Sequence, residues 1–104
     1  MVPARGDVWL FDLGMQAKVR PGLIVSVPYE ETDRALLAIV PHTTSLRGSR
    51  YEVVVDAPFR RRGAFVVQSV ATYPNVRAVR KLGTLRAADF HRVLSGLLSW
   101  LGHG

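Results

Sequence analysis

The sequence predicts a mainly-β domain, a small barrel of five to six mostly antiparallel strands followed by one C-terminal α-helix. Three observations carry the prediction. Short segments rich in β-branched and aromatic residues recur between residues 7 and 82, separated by clusters of Gly, Pro, Asn and Asp, and strands at such spacing suit a small barrel. After Asp89 the apolar residues fall three and four apart, the period of an amphipathic helix. The chain has 104 residues and no cysteine. One domain spanning 1–104 is therefore expected to hold itself together by apolar burial, covering roughly two-thirds of the surface its unfolded form exposes.

The elements follow in order. Asp7 to Leu13 alternates Val8, Leu10 and Asp12 with Trp9, Phe11 and Leu13, a strand that is largely apolar on both faces. Gly14 to Val19 is a short polar loop, and Pro21 to Val27 is a second strand that ends before Pro28. An acidic turn, Glu30-Glu31-Thr32-Asp33, leads to a third strand from Ala35 to Pro41. Tyr51 to Asp56 and Ala64 to Gln68 read as the fourth and fifth strands, separated from their neighbours by two basic loops, 44–50 and 58–63. Tyr73-Pro74-Asn75 reads as a turn, and Val76 to Leu82 as a short sixth strand. Phe90, Val93, Leu94, Leu97, Leu98 and Leu101 form one helical stripe, with Asp89 in the first turn and Gly102 as the stop.

Fourteen cationic residues face eight acidic ones, a formal net charge of +6, and twelve of the cations are arginine. Arginine offers a planar fork to phosphate oxygens and stacks on bases, so the balance favours an anionic partner such as nucleic acid; a GC-rich coding sequence is the plain alternative. No apolar run approaches the roughly 20 residues that span a bilayer. The N-terminus has no basic start followed by an apolar core, so the expected location is cytoplasmic, with no membrane partner. The scattered His42, His91 and His103 give no zinc-ligand spacing and read as structural or solvated; no metal or cofactor is expected.

Two segments carry the chemistry: Arg20-Pro21-Gly22-Leu23-Ile24-Val25-Ser26 and Val40-Pro41-His42-Thr43-Thr44-Ser45. If their strands pair antiparallel, the start of the first lies beside the end of the second. Arg20 then stands near Thr43, and a guanidinium beside a hydroxyl suits a phosphate. An ion pair of Arg20 with Asp7 or Asp12 is the structural alternative.

In this order, Arg5-Gly6-Asp7-Val8-Trp9-Leu10 with Asp12-Leu13, the Arg20-Pro21 strand, Pro41-His42-Thr43-Thr44-Ser45, and Lys81-Leu82-Gly83-Thr84-Leu85 resemble the MazF/PemK family of toxin endoribonucleases from bacterial type II toxin-antitoxin modules. The resemblance covers essentially the whole chain. It implies an SH3-like barrel of the MazF/CcdB kind that forms a homodimer and cuts single-stranded RNA without metal by 2′-hydroxyl attack. It also implies an acidic antitoxin whose tail fills the RNA groove, and operator DNA reached only through the antitoxin complex. Residue by residue, it makes Arg20 and Thr43 catalytic. Thr43 is preferred to Thr44 because adjacent strand residues face opposite ways, and as a phosphate donor it would contribute about 2 to 4 kcal/mol of barrier. Lys18, Thr44, Arg47, Arg50 and Gln68 are the expected substrate-binding residues, and the run Arg60-Arg61-Arg62 reads as an RNA or antitoxin contact, with a solvated loop as the plain alternative.

The chain departs from the family pattern in a shorter loop before Arg20, Met15-Gln16-Ala17-Lys18-Val19, and in Gln68-Ser69 where Asp-Gln is common. An amide cannot take a hydroxyl proton at neutral pH, so the general base is unassigned. Two other classes fit the same barrel: a non-catalytic toxin that poisons gyrase through protein contacts, and a degenerate toxin that only binds RNA or antitoxin.

Overall fold

Strand β1 (Asp7–Asp12) is apolar on both faces, and the molecule builds a separate core against each. In the structure, a computed structural model that describes residues 2–14, 19–59 and 62–103, Val8 joins Leu23, Val40, Phe65, Val67, Val93 and Leu97 in one cluster. Trp9 and Phe11 join Ile24, Leu37 and Ile39 in the other. The division follows the two-residue period of a strand, which sends neighbours to opposite faces.

Six further strands follow: β2 (Val19–Ile24), β3 (Leu36–Thr43), β4 (Glu52–Val53), β5 (Ala64–Val66), β6 (Ala71–Pro74) and β7 (Ala78–Thr84), before helix α1 (Ala87–Trp100). Among the described residues they form one sheet in the order β4-β5-β3-β2-β1-β7, with β6 also on β3, and every pairing is antiparallel. The sheet does not close, so β4 and β7 remain its ends.

β3 makes this curved arrangement possible. Its first half, Leu36 to Ile39, pairs with β6, and its end, His42 and Thr43, pairs with β5. A 3-10 turn at Val67–Ser69 makes the corner between those two partners. This geometry corrects the sequence reading: there are seven strands among the described residues where five to six were expected, β3 runs on to Thr43, and the last strand starts at Ala78 after a 3-10 turn at Asn75–Arg77. The fifth strand stops at Val66, and Gln68 lies in the corner turn. The fourth strand shrinks to two residues because β5 is only three long and offers no further ladder. Ala71–Pro74 is a strand and not the start of a turn; Pro74 is tolerated at its end, where a missing N–H costs no ladder bond. β2 begins at Val19 and ends at Ile24, because the Ser26 hydroxyl accepts the Ala38 N–H at 3.0 Å and replaces the ladder there.

α1 lays Val93 and Leu97 into the first core, while Leu98, Trp100 and Leu101 stay exposed. Its end is fixed by Gly102 at φ 85°, with His103 N–H donating to the Leu98 carbonyl and Gly102 N–H to that of Ser99. Arg5 ties the N-terminal segment to this layer: its Nε donates to the Val25 carbonyl at 3.0 Å and its guanidinium covers the Phe90 ring at 4.8 Å.

Two of the sequence signatures meet at Asp7, which is 5% exposed. Its carboxylate accepts hydrogen bonds from Trp9 Nε1, Ala4 N–H and Thr84 Oγ1 and pairs with Lys81 Nζ at 3.5 Å. Burial pushes the carboxyl up; the bonds from Trp9, Thr84 and Ala4 and the Lys81 charge outweigh it and hold it below the usual aspartate value. A lowered folded pKa means stability that is present above the unfolded value near pH 4 and is lost as pH falls through the folded one. Asp7→Asn is expected to cost about 1–3 kcal/mol at neutral pH. Thermal melts from pH 7 to pH 2 should show the gap between wild type and variant closing below about pH 4.

Candidate functional site

The β2–β3 register pairs Ile24 with Ile39, Leu23 with Val40 and Gly22 with Pro41. Arg20 stands two residues before Gly22 on β2, and Thr43 two residues after Pro41 on β3. Residues two apart on a strand share a face, so both side chains leave the sheet on the same side. Both line a cleft of about 360 Å³, and a second cleft of about 300 Å³ continues it past Val19, Thr44 and Ser45.

Arg20 is exposed, cross-strand from Phe11 on β1. Its alternative ion pairs are taken: Asp7 holds Lys81, and Asp12 lies 4.0 Å from Arg77. Among the described residues no carboxylate binds Arg20. Thr43 is half-buried, and its Oγ1 accepts the Ser45 N–H at 3.0 Å. That bond fixes the hydroxyl oxygen and leaves its hydrogen to donate outward. His42 faces the other way, 3% exposed, with its ring edge-on to Phe59 at 4.9 Å and Phe65 at 5.0 Å. It supports the strand end that carries Thr43.

Of the residues expected to bind substrate, Arg47 and Gln68 line the first cleft with Arg20 and Thr43, and Thr44 lines its continuation. Arg50 does not. Its guanidinium lies over the Tyr51 ring at 4.8 Å, and it borders a separate cleft with Arg92, Ser95 and Ser99 on the helix side. Lys18, Arg60 and Arg61 lie outside the described residues; Arg62 is exposed.

Sequence reasoning missed Glu52. As a β4 residue paired with Val66 it enters the same cleft, where its carboxylate gathers the backbone N–H groups of Arg47, Gly48 and Ser49 at 2.8 to 3.2 Å. The Arg47 N–H, with those of Ser49 and Gly48 and the Arg47 charge, holds the carboxyl below its ordinary value against the desolvation that would raise it. Both oxygens are occupied and the group is a weak base. The available signal was a carboxylate three to five residues after a glycine-containing loop, which strand alternation hid by making Glu52 one more outward polar residue.

A guanidinium, an outward hydroxyl, a second arginine and an amide around one cleft can bind a phosphodiester and hold added negative charge on phosphorus. Solved structures share this fold. An endoribonuclease in complex with its cognate antitoxin from a Mycobacterial species is 26% identical, with a TM-score of 0.83 over 97% of this chain and 96% of that one. MazF from Deinococcus radiodurans is 25% identical, with a TM-score of 0.80 over 98% of each chain. A MazE-MazF structure from the same organism, 22% identical, has the same fold with a TM-score of 0.86 over both full chains. The family model for the PemK-like, MazF-like toxin of type II toxin-antitoxin systems matches residues 4–101. The resemblance carried by the four ordered signatures thus holds across nearly the whole length, and the chain belongs to the PemK-like, MazF-like family of type II toxins.

Proposed function

We propose that this toxin is an endoribonuclease that cuts single-stranded RNA through its own 2′-hydroxyl, without metal, as a single domain and a homodimer. The observation that carries the reading is that Arg20 and Thr43, on adjacent strands, line one cleft, and that among the described residues no carboxylate pairs with the arginine. In the reaction the 2′-oxygen bonds to phosphorus and the bond to the 5′-oxygen breaks, leaving a 2′,3′-cyclic phosphate and a 5′-hydroxyl. The 2′-oxygen gives its proton to solvent water, and water returns one to the departing 5′-oxygen. Arg20 grips the nonbridging oxygens with its planar fork as charge accumulates, so charge stabilisation is its role. Thr43 donates to the same phosphate and limits its rotation, an entropic gain of placement. Gln68 and Thr44 hydrogen-bond the nucleotides on either side.

The same cationic cleft suits the acidic segment of an antitoxin, which blocks RNA by occupying its phosphate positions and carries the toxin to operator DNA. A location in the cytoplasm follows from a messenger RNA substrate.

The test is incubation of the purified protein with a long single-stranded RNA in excess EDTA, followed by end-group analysis. EDTA-resistant cutting with cyclic phosphate ends is expected. Thr43→Ala should slow the initial rate by about 2 kcal/mol of barrier, the lower part of what one donor supplies, because the hydroxyl is only half-buried. Absence of cleavage, or products with 5′-phosphates, would remove this assignment and favour a toxin that acts by binding alone.

A further inference from the structure

We propose that Glu52 is a positioning residue of the RNA cleft, folding the Arg47–Ser49 segment so that Arg47 joins Arg20 and Thr43 as a phosphate contact. The inference rests on the ribonuclease reading and extends it to a residue that touches no substrate.

The segment between β3 and β4 has no ladder to satisfy its backbone. Glu52 supplies the missing partner. Its Oε1 accepts from Gly48 at 2.8 Å and Ser49 at 3.0 Å, its Oε2 from Arg47 at 2.9 Å. Successive N–H groups turned inward on one anion form a closed nest, and here the anion belongs to the protein itself. The loop is held from the other side too: Glu52 N–H donates to the Ser49 carbonyl at 3.1 Å, and Tyr51 N–H to the Ser49 hydroxyl at 3.0 Å. Glu52 is in turn fixed by its pairing with Val66. Without the carboxylate, three N–H groups turn to water, and the remaining bonds hold the loop at Ser49 and not at Arg47.

The sign of the effect separates this role from its competitors. A carboxylate beside a phosphate site repels RNA, so a Glu52 that did nothing else would weaken binding, and its removal would tighten it. A positioning Glu52 gives the opposite result. A proton acceptor would leave binding alone and abolish turnover, but both Glu52 oxygens already accept hydrogen bonds.

The experiment measures the affinity of a fluorescein-labelled single-stranded oligoribonucleotide by anisotropy across a salt series, together with kcat and KM. The proteins are wild type, Glu52→Ala, Glu52→Gln, Arg47→Ala and the Glu52→Ala/Arg47→Ala double variant. Glu52→Ala should weaken binding about tenfold, the loss of one charge-assisted contact. The logarithmic salt slope should fall by about 0.7, one phosphate neutralised on a single strand. KM should rise more than kcat falls. Glu52→Gln, which keeps an oxygen for Gly48 and Ser49, should recover most of the affinity, and the double variant should be no worse than Arg47→Ala. Amide exchange at residues 47–49 should accelerate in Glu52→Ala and slow again in Glu52→Gln. Equal or tighter RNA binding by Glu52→Ala overturns the proposal, as do additive effects of the two single variants, or a Glu52→Gln protein that binds normally and has lost turnover. If Glu52→Ala does not fold, additivity between Glu52→Gln and Arg47→Ala decides the matter in the same way. Arg20-dependent cleavage untouched by any Glu52 change sinks this inference alone, whereas a wild-type chain that neither binds nor cuts RNA sinks the ribonuclease reading with it.

Discussion

Arg20→Ala is expected to lower the rate of RNA cleavage by about 10³-fold, the upper end of what the loss of one preorganised donor costs. The fold should be untouched: the side chain is exposed and holds no carboxylate among the described residues, so its loss should stay within about 0.5 kcal/mol of stability. That separation of activity from stability makes the variant informative. Arg20→Lys keeps the charge and loses the planar fork, and should recover only a small part of the rate. Single-turnover rates with end-group analysis, beside thermal melts, check both halves. A rate equal to wild type in Arg20→Ala, or a loss matched by unfolding, would contradict the role given to the guanidinium.

Gly63→Ala is expected to be the most disruptive of the small substitutions. Gly63 sits at φ 138°, where a side chain is strained, and packs so closely on β3 that an added Cβ would collide with the Thr43 carbonyl and approach His42 Cε1 at 2.8 Å. Strain and overpacking each cost about 1–3 kcal/mol. In a domain of this size each kcal/mol lowers Tm by about 4–8 °C, so a drop of 10 °C or more is the expected calorimetric result. Because the collision falls on the backbone of Thr43, cleavage should be lost even at temperatures where the variant is folded. Gly102→Ala is the comparison: its φ is 85° but nothing lies within 4 Å of the added atom, so only strain remains and activity should persist.

The candidate site was legible where one rule, the two-residue strand period, decided the matter. Antiparallel pairing of the two apolar segments was expected from the residues alone and holds, Arg20 and Thr43 line one cleft, and the same alternation turned His42 inward. Both faces of β1 were visibly apolar, but that the second face closes over a core of its own within the chain showed only in the fold. What escaped depended on contacts between distant segments. Ala71–Pro74 became a strand only because β3 is long enough to carry a third partner, and Pro74 disguised it as a turn. Gln68 left its expected strand because the chain turns a corner at residues 67–69. Glu52 could not be placed without knowing where the loop before it folds back, and Arg50 was drawn to Tyr51 by a ring contact that a basic run does not announce.

The carboxylate of Asp7 has a consequence for the order in which the molecule forms. Its hydrogen bond to Thr84 joins residues 77 apart in the chain, and its ion pair reaches Lys81. Closing so long a loop is slow relative to local pairing, and until it closes β1 lacks a neighbour on one side and a charge lies among apolar groups without its counterpart. The segments that bear Arg20 and Thr43 leave the ribosome well before β7. The cleft lined by Arg20 and Thr43 therefore becomes firm only once β7 has docked on β1.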